Sequence, residues 1–513
     1  MQLRGRTFLA SSVFLATGLA GLVALGASRM TFAEGVDTAS LPPPGETVLG
    51  LNLFGLDTFN RQQVFANLIA HSEWMSSYGE GWTAIPPQQL DRLGWVKYLE
   101  IGQTAPRPLI LPPAPFRPTT VQCTYDGSGE LTAGGVASVR SQSERSLIFD
   151  LDPTGAEGEG AWLELIRTDP GDPLRNLDCR ERGLDANARF HPEFLAFLEG
   201  FRIIRFLDWQ RVNDNRVATW DGRTLPESSS QTGAMGASIE DMVDLANAVG
   251  ADPWFLMPYR ADDDYVRNFA RLVRQRLDPE RTAYVELGNE IWNTMFDAAR
   301  QAQREGLALG LGGGDPSTAQ AQRYAQQHVR VMRIWTEEFS DEPQRLVRVA
   351  AAQNANPYLA NIVLEYADTA RWTDALAVAP YVWLDLEGRD VSDVDGIFAA
   401  IPAELAETFD FAEQNRAIAL QHGKRLIAYE GGQHLVTADL DLARALQRDP
   451  RMRGVYADYL AAWRAQMGDA LVLYASTAPI SEYGSWGLRE YAGQPEADAP
   501  KLQAVRAELG RRG

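Results

Sequence analysis

From Phe201 onward the chain alternates short aliphatic runs with longer amphipathic stretches. A parallel sheet buries both faces of its strands and joins them through helices, so this rhythm predicts consecutive βα units. The aliphatic runs predict strands near Phe201–Leu207, Pro253–Met257, Ala283–Leu287, Arg345–Ala350, Ala375–Ala379, Arg425–Tyr429 and Ala470–Tyr474. Val48–Leu53 supplies an eighth, and eight parallel strands with intervening helices close into a (β/α)8 barrel. Helical spacing of apolar residues is met by Tyr265, Val266, Phe269, Leu272, Val273 and Leu277. It is met again by Tyr324, His328, Val331, Met332, Trp335 and Phe339, and by Tyr459, Leu460, Trp463 and Met467. On that spacing His328 is a packed face residue rather than a ligand. Asp262, Asp263 and Asp264 read as a helix N-cap with acidic residues in the first turn.

Between the first and second predicted strands the period changes. Thr119–Tyr125, Val136–Ser141, Ser146–Leu151 and Ala161–Thr168 alternate polar and apolar residues and are separated by Gly- and Pro-containing turns. This predicts an α/β fold with a small all-β, sandwich-like domain at 106–184 inserted into a barrel made of 45–105 and 185–495. Cys123 and Cys179 are the only two cysteines and both fall in that insert, which favours a disulfide in an exported chain. Asp150-Leu-Asp152 begins like a calcium loop, but Ala161 stands where the closing Glu is required, so no metal site is assigned. Gly310–Gly314 lacks the Lys and Ser/Thr of a phosphate cradle and reads as a plain loop.

The N-terminus changes the picture of location. Arg4 and Arg6 precede an apolar stretch from Phe8 to Leu25, with small residues up to Ala33. Residues 1–33 therefore read as an export signal, which places the protein in the periplasm or outside the cell, with an uncleaved N-terminal anchor as the alternative. The 513-residue chain is 45% hydrophobic, enough for a large core. Its 48 Lys and Arg against 68 Asp and Glu give a net charge of −20, which excludes nucleic acid as an expected partner.

Reactive groups of such a barrel sit where strands end on the C-terminal face. Glu290, in Gly288-Asn-Glu, follows the fourth strand and Glu430, in Tyr429-Glu-Gly-Gly, closes the seventh. Those strands face one another across a closed barrel, so the two carboxyl groups are expected about 5 Å apart, a spacing suited to double displacement at a glycosidic bond. In the simpler readings Asn289 caps a helix starting at Ile291 and Glu430 is a solvated strand-end charge. Arg205 then pairs with Asp208 or another acid, and Tyr259, Trp209, Trp383 and Trp486 are core aromatics, although Trp486 between Ser485 and Gly487 is expected to be exposed.

With Asn289-Glu290 after strand four and Glu430 after strand seven, the stretch from Phe201 to Gly487 resembles glycoside hydrolase clan A, the retaining glycosidases on an eight-fold β/α barrel. The resemblance implies Glu290 as acid/base, Glu430 as nucleophile, Arg205 as the arginine that keeps the nucleophile ionised, and Asn289 as a grip on the sugar 2-hydroxyl. It further implies Tyr381 as a hydrogen-bond donor to the nucleophile and Trp486 as a floor for the sugar, with Tyr259 and Trp383 as further substrate contacts. Pro380-Tyr381 and Gln353-Asn354 stand where many clan members carry His. Over its whole length the chain also resembles secreted bacterial proteins loosely described as cellulose-binding. The expectation is an exported retaining glycosidase acting on a β-linked oligo- or polysaccharide without a cofactor. A non-catalytic carbohydrate-binding or exopolysaccharide-assembly protein, and a transglycosylase, are the alternatives.

Overall fold

A computed structural model describes residues 46–110, 118–154 and 159–512; the export signal predicted at 1–33 lies outside the described residues. Eight parallel strands form a closed barrel in sequence order: β1 (Thr47–Asn52), β2 (Ile203–Arg205), β3 (Asp252–Met257), β4 (Ala283–Leu287), β5 (Leu346–Ala351), β6 (Ala375–Val378), β7 (Arg425–Ala428) and β8 (Asp469–Leu473). Closure comes from β8 lying parallel to β1, with Thr47 opposite Asp469 and Leu51 opposite Leu473. All eight coincide with the strands that the aliphatic runs predict.

The period of two along each strand sorts side chains between two cores. Ile427 and Tyr429 join Ile203, Trp254 and Val472 in the cluster that fills the barrel, whereas Leu426 and Ala428 belong to the larger cluster shared with the surrounding helices. The same alternation turns Tyr284 into the barrel and Val285 and Leu287 toward the helices. Glu286, between those two outward residues, thus falls on an inward position.

The helices start and pack as their sequences require. Asp262 caps the helix Asp263–Arg276 by accepting the Tyr265 N–H at 2.7 Å. His328 is fully buried on the helix Pro316–Glu338, with its Nε2 3.0 Å from Thr373 Oγ1. Among the described residues no helix is long and apolar enough to cross a membrane.

Between β1 and β2 the described residues build two larger antiparallel sheets, besides the short pair Met75–Ser76 with Thr83–Ala84. One orders Arg175–Glu181, Thr119–Asp126, Ser146–Leu151 and Ala137–Ser143; the other orders Ala105–Leu109, Ala161–Thr168 and Gly129–Gly135. Val121 and Phe149 from the first and Leu163 and Leu165 from the second share one buried cluster, joined by Leu68, Trp74 and Trp95. Cys123 and Cys179 are directly opposed on neighbouring strands and form a disulfide. Asp150, from the calcium-like run, is bonded instead to Thr120 Oγ1 at 2.7 Å and to Arg140.

Candidate active site

The C-terminal ends of β1, β2, β4 and β7 converge on one guanidinium. Arg205 is fully buried, and its five N–H donors all have acceptors. Nε and Nη2 donate to Glu286 Oε2 at 3.2 and 2.9 Å, and Nη2 also donates to Asn289 Oδ1 at 2.9 Å. Nη1 donates to Asn52 Oδ1 at 3.0 Å and to Glu430 Oε1 at 2.7 Å. The second Glu430 oxygen accepts the Tyr381 hydroxyl at 3.0 Å. Glu430 is thus held on both oxygens by groups that favour its anion. It is 5% exposed, not a solvated strand-end charge. Burial raises its pKa while Arg205 and Tyr381 oppose the rise.

Glycine makes this strand end possible. A Cβ on Gly431 would stand 2.2 Å from the Tyr459 hydroxyl, and Gly432 has φ +126°, so an L side chain fits at neither position without displacement. The turn carries the chain into Gly432–His434, which pairs in parallel with Tyr381–Trp383 beyond β6. Tyr381 is thereby set beside Glu430.

Glu290 occupies a left-handed conformation, φ 45°, directly after Gly288 at φ 61° and Asn289. A non-glycine residue held there is strained, a feature that clusters at functional sites. Its Oε2 accepts from Asn293 Nδ2 at 2.9 Å and its Oε1 from the Tyr429 hydroxyl at 3.2 Å. Burial first, and the negative charge of Glu430 second, push its pKa up to about 8; the Asn293 and Tyr429 hydrogen bonds and Arg205 act the other way. The group therefore keeps its proton near neutrality, as a general acid must.

Asn289 does not cap a helix at Ile291, because the next helix runs over Asp297–Ala308. Its Oδ1 is taken by Arg205 and its Nδ2 faces Asn213 Oδ1 at 3.3 Å. Arg205 pairs with Glu286 and Glu430 rather than with Asp208. Trp486, expected to be exposed, is 6% exposed: its ring packs edge-on to Tyr474 at 5.7 Å and against His434 at 5.6 Å, and His434 meets Tyr381 at 5.4 Å. Trp383 is partly buried on the extension strand beside His434. Tyr259 lies apart from this network: it is buried in the outer core and donates its hydroxyl to Glu305 at 3.0 Å.

Several members of the cluster escape a search for strand-end motifs. Glu286, Asn52, Tyr429 and Asp208 each touch it, and for Glu286 the signal is a charge on the inward position of an otherwise apolar strand. Asp208 accepts from the Tyr474 hydroxyl at 3.3 Å, and burial, followed by the Glu430 charge, raises its pKa to about 7. Asp208 and Tyr474 line a cleft of about 770 Å³ whose wall also includes Asn213, Arg211, Phe54 and the exposed ring of Phe59. The cleft adjoins this network through Asn213, which faces Asn289, and Tyr474, which packs on Trp486, and its volume lies in the range of small-molecule sites.

No protein-family model matches the chain, and no curated protein matches it. Among solved structures it is similar to the GH51 arabinofuranosidase from Xanthomonas axonopodis pv. citri, at 10% identity over 57% of this chain and 62% of that one, with a TM-score of 0.39. It is similar to a 4-O-alpha-L-rhamnosyl-beta-D-glucuronidase from Fusarium oxysporum 12S, at 13% identity over 61% of this chain and 63% of that one, TM-score 0.38. A beta-glucosidase from Thermotoga maritima gives 12% identity over 62% of this chain and 84% of that one, TM-score 0.32. The chain spans less than two thirds of the length of the first two. The closed eight-strand parallel barrel is the architecture that the resemblance to glycoside hydrolase clan A implies.

Proposed function

We propose that this protein is a retaining glycoside hydrolase that cleaves a β-linked oligo- or polysaccharide by double displacement. The observation that carries the reading is the double hold on Glu430 by Arg205 Nη1 and the Tyr381 hydroxyl, beside a second carboxyl group, Glu290, that burial keeps protonated near neutrality. The ionised Glu430 oxygen attacks the anomeric carbon as Glu290 gives its proton to the departing glycosidic oxygen. This leaves a glycosyl ester on Glu430 and a carboxylate at position 290. Glu290 then takes a proton from water, whose oxygen attacks the anomeric carbon and breaks the ester, restoring both groups. Esterification removes the charge of Glu430, the second-largest cause of the raised Glu290 pKa, so Glu290 becomes an anion when it must act as a base. Two carboxyl groups and water suffice for this sequence.

The basic and apolar N-terminal run, together with the Cys123–Cys179 disulfide, supports action in the periplasm or outside the cell. We take 106–184 as a separate all-β domain carried by the barrel.

Digestion of a polysaccharide and aryl-glycoside panel, with products followed by mass analysis and proton NMR of the fresh anomer, tests the reading. The wild type releases sugar of retained configuration, and Glu430→Gln or Glu290→Gln lowers kcat by orders of magnitude with the fold intact. Glycan binding without product release over long incubation overturns it in favour of a binding protein.

A further inference from the structure

We propose that Glu286 is a positioning residue for Glu430: it clamps one edge of Arg205 so that Nη1 is aimed at Glu430, and it takes a share of the single positive charge that Glu430 would otherwise receive whole. The proposal rests on the assignment of Glu430 as nucleophile and deepens it.

The clamp follows from the planarity of guanidinium. Glu286 Oε2 accepts from both Nε and Nη2, which fixes one edge of the plane and so the direction of Nη1 on the other. The carboxylate is itself fixed, because the same oxygen accepts the Trp254 indole N–H at 3.0 Å and Trp254 stacks on Tyr284 at 5.4 Å. Glu286 Oε1 is buried with no hydrogen-bond partner. An unpartnered carboxylate oxygen inside a barrel is costly, and an aliphatic residue on this strand would avoid that cost, so Glu286 is not explained by stability.

The charge argument is independent of the clamp. One cation faces two fully or nearly buried carboxylates, Glu286 and Glu430. Each anion partly cancels the field of Arg205 at the other. Glu430 therefore keeps more electron density than a carboxylate alone with an arginine, and nucleophilicity falls when a nucleophile's own proton affinity is lowered. The other ionisable groups around Glu430 are Glu290 after β4, Asp208 after β2, Tyr381 after β6, Tyr429 after β7 and Tyr474 after β8. Substitution of Glu286 leaves all of them in place.

The experiment titrates the side-chain carboxyl carbon of Glu430 by NMR in full-length protein labelled at Glu, the signal being assigned by its loss in Glu430→Gln. Glu286→Gln keeps an acceptor for Arg205 and Trp254 but removes the charge, so the Glu430 midpoint falls by about one pH unit. The acidic limb of the kcat/KM profile moves down with it and kcat falls roughly tenfold while KM changes little. Glu286→Asp, which keeps the charge, restores the midpoint toward the wild-type value. If Glu286→Gln does not fold, Trp254→Phe removes the indole donor to Glu286 while keeping an aromatic ring in the barrel, favours the neutral form of Glu286 and gives a smaller shift in the same direction. An unchanged or raised Glu430 midpoint in a folded variant overturns the proposal. A downward shift in a protein that hydrolyses nothing leaves this inference standing and removes the glycosidase reading instead.

Discussion

Tyr429 donates its hydroxyl to Glu290 Oε1 at 3.2 Å, so consecutive residues at the end of β7 reach the two ends of the carboxyl pair. Tyr429 turns inward and meets Glu290, while Glu430 meets Arg205 and Tyr381. The two titrations are coupled by charge, because the ionised Glu430 raises the pKa of Glu290.

The first prediction concerns that hydroxyl. It stabilises the ionised form of Glu290 and so holds down a pKa that burial and Glu430 raise to about 8. Tyr429→Phe removes the donor, the midpoint moves higher, and the protonated acid persists to higher pH. A hydrogen bond to a charged group is worth about 1.5–3 kcal/mol, so the alkaline limb of kcat/KM moves up by roughly one to two pH units. A limb that stays in place or moves down shows that Tyr429 does not bear on the proton of Glu290.

Asp208 gives a prediction about stability. Its pKa is raised from 3.8 to about 7. Between about pH 4 and 7 the native protein thus keeps a proton that the unfolded chain has released. The contribution is present in full below about pH 4 and is lost as pH rises through 7, since stability falls with pH wherever the native state binds more protons. Asp208→Asn has no such proton, so its melting temperature declines less than that of the wild type from pH 4 to 7, as scanning calorimetry across that range records. Parallel declines in the two proteins mean that Asp208 is not the group responsible.

The extent to which the sequence discloses this site follows from which features are local. The strands were legible because a parallel barrel strand is apolar on both faces, and Glu290 and Glu430 because they stand where strands end. Arg205 was legible only through resemblance. Glu286 and Tyr429 carry no local motif that marks a role, although each lies on an inward position: the partners that give them meaning come from β2 and the loop after β4, at sequence distances of 81 and 139 residues. Flanking Ser and Gly predict an exposed loop at Trp486, whereas its ring fills the space between Tyr474 and His434. Tyr259 follows a strand as Glu290 and Glu430 do, but its hydroxyl is satisfied by Glu305 in the outer layer, and nothing adjacent in sequence reports that.

The disulfide joins directly opposed residues of neighbouring strands across a sequence separation of 56. Loop-closure entropy for a segment of that length corresponds to about 4 kcal/mol. The double substitution Cys123→Ala with Cys179→Ala is expected to lower the unfolding free energy by about that amount in denaturant melts. It should leave hydrolysis at 25 °C unchanged, because neither cysteine is in the barrel network. A loss below about 1 kcal/mol indicates that residual structure already restrains the unfolded ensemble without the bond.

Among the described residues Arg205 is the one cation that pairs with Glu286 and Glu430, and its removal separates charge from packing. Arg205→Ala leaves both carboxylates buried without their counter-ion, a change that costs about 3–5 kcal/mol when the partner left behind stays ionised. Arg205 opposes the rise of both their pKa values, so in its absence both rise further and the carboxyl groups take up protons more readily. The loss of stability is therefore largest at alkaline pH, where the pair must remain charged, and shrinks on acidification as each group becomes neutral. Urea melts of wild type and Arg205→Ala at pH 5 and pH 8 measure this directly: the stability gap widens at pH 8. An equal gap at both values means that the variant is destabilised by the cavity it leaves and not by uncompensated charge, and the electrostatic account of the Glu430 hold then fails with it.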